Sequence, residues 1–499
     1  MTKLNVDKTK KILNDFENKT ILVVGDFYLD EYIETTSDQF SPEAPVPRAI
    51  VKSKIHVPGA AGNVACVLKE LGATVKTVGV IGADNNGDIL KSDLDSRGID
   101  TQGLILDKER LTGTFSRILL LFGGNISQHV IRFDHENDSP LSQSTRKQVI
   151  SNFREQVKSC DAIFMADYDE TGGTGLINDE LMEEIIDLAK SNNVLTVGIS
   201  RLNIKKFKDF DLIITNEKET EIATNIKITD DETLLKAVEN LKTNLKSKVV
   251  LASLGKKGAI VMDESLTFQL PSFAKKVVDV CGAGDTMSSA FALSKLSNAT
   301  HSEALEIGSF AASVAVQKEG TATVSRSELL SAIKNEYESI NKLVTPVQLS
   351  SLVKGFKKQG KKVVLTNGYF DFIHAGIIQF LQEAKKQGDI LIVALNSDES
   401  TRSNKGTDRP LLNQGDRAKI MSAFSFVDYV VIFEELTPIK LIQTLHPDVL
   451  VKGGTHSKEE IVGKDLFEDM SSKALPLMGP STESMIDFIK NSKKSLHEK

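Results

Sequence analysis

The chain has 499 residues, which is enough for two or three domains. Its hydrophobic fraction of 40% and charged fraction of 26% are typical of a soluble globular protein, and its net charge of −7 gives no bulk electrostatic case for binding nucleic acid. No apolar run reaches the roughly 18–20 residues of a membrane span, and the polar N-terminus does not resemble a signal peptide. Three widely spaced cysteines, Cys66, Cys160 and Cys281, form no disulfide framework, so we expect a cytoplasmic protein.

Apolar runs of strand length alternate with helical patterns along the first two thirds of the chain. The segment ILVVGD (21–26) predicts a buried strand, and GNVACVLKELG (62–72) has the spacing of a helix that ends near Gly72. The same alternation continues with a helix near 178–192 and with the strand-like runs VKTVGVIG (75–82), DAIFMAD (161–167), VLTVGI (194–199), DLIITN (211–216) and KVVLASLG (248–255). This order predicts an α/β fold with a mostly parallel sheet.

The segment 112–134 departs from that alternation. Two β-rich runs flank Gly123-Gly124-Asn125, which is a hairpin signal. We expect this hairpin to project from the parallel sheet as a lid or an interface.

A second α/β series begins at KKVVLTNG (361–368). It continues with helices near 376–387 and 413–423 and with the strand-like runs DILIVALNSD (389–398), VDYVVIF (427–433) and PDVLVKGG (447–454). We therefore predict a first domain over 1–335, a linker over 336–355 and a Rossmann-like second domain over 356–499.

The segment DVCGAGDT (279–286) precedes a helical apolar pattern. Gly282, Ala283 and Gly284 would let backbone N–H groups approach an anion at a helix N-terminus, where the aligned peptide dipoles favour negative charge. Asp285 lies at the helix start, where its carboxylate could accept a proton from an attacking hydroxyl. Taken alone, the segment is also explained as a helix cap of small residues.

Several motifs in a fixed order make residues 20–325 resemble the ribokinase-like (PfkB) carbohydrate kinases. They are VVGDFYLD (23–30), PGAAGNVA (58–65), TNEKE (215–219), SLGKKG (253–258) and GAGD (282–285). The resemblance implies transfer of a phosphoryl group from ATP to a sugar, with Asp285 as the base, the Gly282–Gly284 backbone around the phosphate and Mg²⁺ offsetting its charge.

The resemblance also implies roles for the remaining motif residues. Asp30, Gly59 and Asn63 would bind the sugar. Asn216 and Glu219 would act on phosphate and Mg²⁺, with Glu219 as the metal ligand, and the loop along the nucleotide would contain Ser253, Gly255 and Gly258.

The stretch NGYFDFIHAGIIQF (367–380) makes the second series resemble the HxGH nucleotidyltransferases of the cytidylyltransferase-like superfamily. These enzymes join a nucleoside triphosphate to a phosphorylated substrate and release pyrophosphate, so they need donors around the phosphates. The resemblance implies His374 as a catalytic residue and the following nucleotide-binding residues: Asn367, Phe370, Asp371, Gly376, Lys405, Arg409, Lys452, Ser481 and Thr482.

Two kinase segments, SPEAPVP (41–47) and KEGTATVS (318–325), narrow the resemblance when they are followed by such a domain. The combination resembles the family of bifunctional D-β-D-heptose 7-phosphate kinase/D-β-D-heptose 1-phosphate adenylyltransferases of ADP-heptose synthesis. That family interleaves two subunits through the hairpin, so a homodimer is implied. Arg117 and Arg132 lie in this hairpin and would contact the substrate phosphate, or else they are exposed surface arginines.

The chain also departs from the family in both halves. Ile199-Ser200-Arg201 stands where the family commonly has Asp-Pro-Lys, and ADYDETGG (166–173) lacks the family's lysine, which leaves the sugar phosphate open. Ile377 replaces the second histidine of the HxGH motif and cannot donate a hydrogen bond. Three alternatives therefore remain: two activities with a weakened second one, a kinase with a non-catalytic second domain, or two activities with another sugar phosphate or with CTP.

Overall fold

The computed structural model describes residues 4–37, 39–122, 126–169, 173–318, 320–453 and 473–477. The chain divides into two compact units, Met1–Ile333 and Lys334–Lys499. No helix within the described ranges is long and apolar enough to cross a membrane.

Strands and helices alternate along most of the first unit. Its strands are β1 (Thr20–Gly25), β2 (Phe27–Thr36), β3 (Ile50–Ala60), β4 (Thr74–Gly82), β5 (Asp100–Asp107), β6 (Thr114–Phe122), β7 (Ile126–His135), β8 (Ala162–Asp167), β9 (Leu195–Ser200), β10 (Leu212–Asn216), β11 (Val249–Ser253), β12 (Ala259–Met262) and β13 (Thr267–Leu270). Its helices are α1 (Val6–Asp15), α2 (Ala61–Glu70), α3 (Asn85–Ser96), α4 (Gln143–Gln156), α5 (Asp179–Asn192), α6 (Glu217–Thr224), α7 (Asp231–Leu245), α8 (Ala283–Leu296), α9 (His301–Ala315) and α10 (Arg326–Lys342), the last of which crosses the boundary between the units.

Nine of the described strands form the large sheet of the first unit, in the order β13-β12-β11-β10-β9-β8-β1-β4-β5. The strands from β11 to β5 are parallel, and β12 and β13 add an antiparallel edge. Central strands such as β1 are continuous apolar runs because both faces of a parallel sheet are covered, and Ile21 to Val24 are fully buried. The predicted α/β fold is confirmed.

A second, four-stranded sheet in the order β3-β2-β6-β7 contains the predicted hairpin. β6 and β7 pair antiparallel as expected, while Gly123-Gly124-Asn125 lies outside the described residues. β2 pairs in parallel with β6, from Leu29 opposite Thr114 onward, so the hairpin is built into a sheet with the segment that carries Asp30.

The second unit has a five-stranded parallel sheet within the described residues, in the order β16-β15-β14-β17-β18. Its strands are β14 (Val363–Gly368), β15 (Ile390–Asn396), β16 (Tyr429–Phe433), β17 (Val449–Gly453) and β18 (Lys473–Leu477). Its helices are α11 (Pro346–Lys358), α12 (Ala375–Lys385), α13 (Asp398–Lys405), α14 (Gln414–Ala423) and α15 (Ile439–Leu445). The predicted Rossmann-like alternation is present.

Residues 336–355, expected to be a linker, instead contain the end of α10 and most of α11. Thr345 caps α11 by accepting a hydrogen bond from the backbone N–H of Gln348, and Pro346 occupies its first turn, where no N–H is needed. Leu349 and Val353 are buried in the core of the second unit. The helices of this polar, lysine-rich segment break between Lys342 and Pro346, and α11 packs on the second unit.

Truncation of Leu349 tests whether α11 is part of the second unit. Leu349 is fully buried, so we expect Leu349→Ala to lower the free energy of unfolding of this unit by about 2–5 kcal/mol. Val347 is 78% exposed on the same helix, so Val347→Ala should change it by less than about 0.5 kcal/mol. Denaturant unfolding of the full chain measures both, and equal effects of the two variants would show that α11 does not pack on this core.

Candidate active sites

The site in the first unit is built around the N-terminus of α8. Gly282 precedes the helix with φ +70°, a left-handed conformation that glycine adopts without strain. Asp279 holds the preceding loop, because its carboxylate accepts hydrogen bonds from the backbone N–H groups of Cys281 (2.9 Å) and Gly320 (3.0 Å). Asp285 therefore lies in the first turn of α8, beside the backbone of Gly282 to Gly284.

The Asp285 carboxylate is held by two donors from different elements. Asn63 Nδ2, at the start of α2, donates to Oδ2 at 2.6 Å, and the Tyr168 hydroxyl, just after β8, donates to Oδ1 at 2.7 Å. Burial raises the pKa of Asp285 above its usual value, and the two hydrogen bonds offset only part of this rise. Burial also raises the pKa of Tyr168 well above its usual range, so the hydroxyl keeps its proton and remains a donor.

Asp30 lies in a second polar cluster on the small sheet. Its carboxylate accepts a hydrogen bond from Arg117 Nη1 at 2.8 Å, and both side chains are mostly buried. A Cβ at Gly59 would lie only 3.0 Å from the carboxyl carbon of Asp30, so glycine at this position leaves room for the carboxyl group. The small sheet thus brings Asp30, Gly59 and Arg117 together.

Arg132 is placed differently from the other predicted residues. It pairs in register with Arg117 across β6 and β7, but its side chain is exposed, bonds Asp134 at 2.7 Å and stacks over the Phe115 ring. Like Asp30, Gly59 and Arg117, Arg132 is absent from the described lining of the two large cavities of this unit, so its exposure and its pairing with Asp134 are what set it apart.

A cavity of about 500 Å³ lies beside Asp285. Asn216 caps α6, and the Glu219 carboxylate accepts a hydrogen bond from the Asn216 backbone N–H at 2.9 Å. Burial raises the pKa of Glu219 to about 7, which hydrogen bonding from Asn216 only partly offsets. The lining thus combines most of the predicted phosphate and metal residues: Asn216, Glu219, Ser253, Gly282, Gly284 and Asp285.

A neighbouring cavity of about 560 Å³ is lined mainly by small and apolar residues. It contains the predicted loop residues Ser253, Gly255 and Gly258 together with Ala283 and Gly284. Gly258 has φ +99°, and a Cβ there would lie 1.9 Å from the carbonyl oxygen of Leu270. Glycine is therefore required at this turn between β11 and β12.

Magnesium fits this site only together with a phosphate ligand. Within the described ranges, no group of three or more His, Cys, Asp and Glu side chains could hold a metal ion. Kinases usually hold Mg²⁺ through one or two carboxylates plus the phosphates of the substrate, and Glu219 supplies such a carboxylate in the cavity.

The predicted corner of the second unit lies between β14 and α12. His374 occupies the N-cap position of α12 without a side-chain capping bond, and its buried Nε2 atom makes no hydrogen bond to any residue that the structure describes. Burial lowers the pKa of His374, which favours the neutral imidazole. Gly376 lies in the first turn of α12, whereas the Ile377 side chain is buried in the hydrophobic cluster that includes Phe380 and Leu381.

Lys405 and Lys452, both predicted to bind the nucleotide, place two positive charges at this corner. Lys452 Nζ lies 3.2 Å from the carbonyl oxygen of Asn367 and 3.4 Å from its side-chain oxygen. Burial, with repulsion from Lys405, lowers the pKa of Lys452 to about 8. An anion at this corner would relieve that repulsion.

Arg409 and Asp371 form a two-pronged ion pair, with Arg409 Nη2 at 2.7 Å from Asp371 Oδ1 and Nε at 2.5 Å from Oδ2. Phe370, just before it, has φ +47°, and its ring covers Gly368. Ser481 and Thr482 lie outside the described residues.

Three residues of these sites were not predicted from the sequence. Tyr168 and Arg201 occur in motifs that seemed only to depart from the family, and both line the cavity beside Asp285. In the second unit Arg417 is fully buried and donates to the carbonyl oxygens of Tyr369 and Asn396 and to the Asp398 carboxylate, at 2.6–2.9 Å. The only sequence signal for Arg417 was an arginine within the predicted helix near 413–423.

Comparisons with known proteins agree over both units. A family model described as pfkB family carbohydrate kinase matches residues 18–328, and one described as cytidylyltransferase-like matches residues 365–469. The chain is 37% identical over 482 residues to the bifunctional protein HldE of Aliarcobacter butzleri, covering 95% of this chain and 98% of that protein. It is 36% identical over 473 residues to HldE of Helicobacter pylori strain J99, covering 95% and 99%.

Solved structures match the first unit in fold. Arabidopsis thaliana ribokinase complexed with ribose and ATP gives a TM-score of 0.50 at 21% identity, covering 63% of this chain and 99% of that one. Escherichia coli phosphofructokinase-2 in complex with potassium gives a TM-score of 0.52 at 20% identity, covering 63% and 98%.

Removal of the Tyr168 hydroxyl tests the polar cradle of Asp285. The donor favours the ionised carboxylate, so in Tyr168→Phe the pKa of Asp285 should rise further. The acid limb of the pH profile of kcat/KM for sugar-phosphate-dependent ADP formation should then move up by about one to two pH units. Asp285→Asn should abolish turnover at every pH, and an unchanged acid limb in Tyr168→Phe would exclude Asp285 as the titrating base.

Proposed function

Because the chain belongs to the family of bifunctional HldE proteins, it is an enzyme that combines a carbohydrate kinase with a nucleotidyltransferase, and we propose substrates and residue roles for both activities. The first unit transfers a phosphoryl group from ATP to O1 of D-β-D-heptose 7-phosphate. The second transfers AMP from ATP to the resulting 1-phosphate, giving ADP-heptose and pyrophosphate. The observation that carries the proposal is the Asp285 carboxylate at the glycine-rich start of α8, beside the Glu219 cavity.

In the kinase step the oxygen of the sugar hydroxyl forms a bond to the γ-phosphorus of ATP, and the hydroxyl proton passes to Asp285. The bond between the γ-phosphorus and the oxygen of ADP breaks, and the electron pair of that bond stays on ADP. The N-terminus of α8 attracts the phosphoryl oxygens because its N–H groups and peptide dipoles point toward them. Little covalent work falls to the protein, so positioning and charge dominate.

The two cavities divide the bound ligands between them. The apolar cavity along Ser253 to Gly258 receives the adenosine, and the polar cavity receives the phosphates with Mg²⁺ at Glu219. When bound, Mg²⁺ offsets the negative charge of the phosphates. The free thiols and the requirement for ATP agree with a cytoplasmic location.

The sugar phosphate binds at the Asp30–Arg117 pair. Asp30 takes one donor of the Arg117 guanidinium, which carries five, so the same side chain can also bind a phosphate group. Arg132, on the neighbouring strand, would bind the same phosphate group only after its ion pair with Asp134 is broken.

A substrate panel tests the kinase assignment. We expect ADP formation with heptose 7-phosphate and at least about 10²-fold lower kcat/KM with the unphosphorylated sugar, because Arg117 would then bind Asp30 without a substrate phosphate. Arg117→Met should erase most of that discrimination while leaving the low activity on the free sugar. Turnover of free ribose or fructose alone would reject the heptose assignment.

The second unit catalyses adenylyl transfer at a reduced rate. Lys405, Lys452 and the N-terminus of α12 attract the triphosphate, and His374 stabilises the negative charge that develops on the leaving pyrophosphate. Ile377 contributes no donor because its side chain belongs to the hydrophobic core. Loss of one such donor lowers a rate by about 10²–10³-fold.

Pyrophosphate release from heptose 1-phosphate and ATP tests this second activity. His374→Ala should lower it by a further factor of about 10²–10³, and Ile377→His should raise it if the new ring reaches the phosphates. Ile377→Gln, of similar size but with an amide, controls for placing any polar group in this core, and thermal unfolding of each variant reports the damage. Pyrophosphate release that is the same as background, in both the natural chain and Ile377→His, would make this unit a binding module.

The homodimer forms through the four-stranded sheet. Its edge strands β3 and β7 expose apolar side chains, among them Val51, Ile55, Val130 and Phe133, each more than 40% exposed. Exposed edge strands with apolar side chains are sites of pairing with another chain.

A charged substitution on β7 tests the dimer. We expect light scattering to give twice the chain mass of 54.6 kDa for the natural protein and the single mass for Val130→Asp. Leu436→Asp, at a comparably exposed apolar residue of the second unit, should leave the mass unchanged. A dimer that survives Val130→Asp but not Leu436→Asp would place the interface elsewhere.

A further inference from the structure

The sheet order places Arg201 between the strand ends that lead to Tyr168 and to Asn216. Arg201 directly follows β9, which lies between β8 and β10. Its backbone N–H donates to the carbonyl oxygen of Asp167 at the end of β8. The side chain therefore enters the cavity with Tyr168 on one side and the α6 residue Glu219 on the other.

The Tyr168 ring connects the Arg201 guanidinium to the Asp285 carboxylate. The central carbon of the Arg201 guanidinium is 5.3 Å from the centre of the Tyr168 ring, and the hydroxyl of that ring donates to Asp285. Burial raises the pKa values of Asp285 and Glu219, and the positive charge of Arg201 acts in the opposite direction on both. Arg201 is thus a cation that acts on both carboxylates of the described cavity.

We propose that Arg201 is a catalytic residue of the kinase, whose guanidinium contacts the phosphoryl group in transit between ATP and the sugar hydroxyl. The inference rests on the proposed kinase function. In the transfer, the sugar oxygen bonds the γ-phosphorus, its proton passes to Asp285, and the bond to ADP breaks with its electron pair. Negative charge on the three phosphoryl oxygens is met by the α8 N-terminus and by the forked donors of Arg201.

The position distinguishes Arg201 from the other cation of this cavity. Lys218 lies in the described lining of both cavities, as does Ser253 of the expected nucleotide loop. Arg201 lies in the lining of the cavity beside Asp285 and not in that of the adenosine cavity. Its side chain is exposed to solvent, so a group that enters the cavity can reach it.

Four full-length variants test the role: Arg201→Gln, Arg201→Lys, Lys218→Gln and Lys205→Gln. Lys205 is exposed four residues further along, outside the described lining of either cavity, and serves as the matched control. We expect Arg201→Gln to lower kcat by about 10²–10³-fold with little change in either KM, because the contact strengthens in the transition state. Arg201→Lys should recover part of the loss, Lys218→Gln should mainly raise KM for ATP, and Lys205→Gln should match the natural chain.

Binding of inhibitors supplies a second readout that folding alone does not change. ADP with aluminium fluoride and the sugar phosphate mimics the phosphoryl group in transit, so Arg201→Gln should lose this ternary complex while still binding a non-hydrolysable ATP analogue. A raised KM for the sugar phosphate with unchanged kcat would overturn the proposal, since Arg201 would then bind the substrate's own phosphate. Equal activity of Arg201→Gln and Lys205→Gln would also overturn it, whereas an inactive natural chain would refute the kinase assignment itself.

Discussion

Parallel pairing of strands brings their carboxyl ends to one edge of a sheet, and both candidate sites depend on this constraint. In the first unit β8, β9 and β10 end side by side, so Tyr168, Arg201 and Asn216 meet although they are far apart in sequence. In the second unit β14, β15 and β17 end together and bring Asn367, Asp398 and Lys452 to one corner. In open sheets of this kind ligands bind outside the carboxyl ends of the strands. The chemistry of each unit follows from which side chains stand at those ends.

Elements with both faces covered could be predicted from sequence, because complete burial leaves an uninterrupted apolar run. β1 and β15 are examples, and the motif at Gly282 to Asp285 was equally visible because its glycines and its carboxylate are adjacent. β2 escaped prediction because its apolar residues form neither a continuous run nor an alternating pattern, and its partner β6 is far away in the chain. The cradle of Asp285 escaped for the same reason, since Asn63 and Tyr168 meet it only after the sheet has formed.

The second unit shows how a reduced motif can keep its geometry. Arg417 joins the loop after β14 to the end of β15 through backbone carbonyls, which requires only that these main-chain atoms stay in place. Exchange of a side chain at the start of α12 leaves those bonds intact, and the Ile377 side chain gains contacts in the core. The fold of this corner therefore does not depend on the donor that a histidine at position 377 would supply, and the family match alone says little about the rate of its reaction.

The proximity of Lys405 to Lys452 couples ligand binding to stability. Lys452 is buried and its charge opposes that of Lys405, so the charged pair costs the second unit stability when no anion is bound. An anion bound between the two ammonium groups would offset this repulsion and add its free energy of binding to the stability of the folded unit. A nucleoside triphosphate bound there would therefore stabilise this unit against unfolding even without transfer of its phosphates.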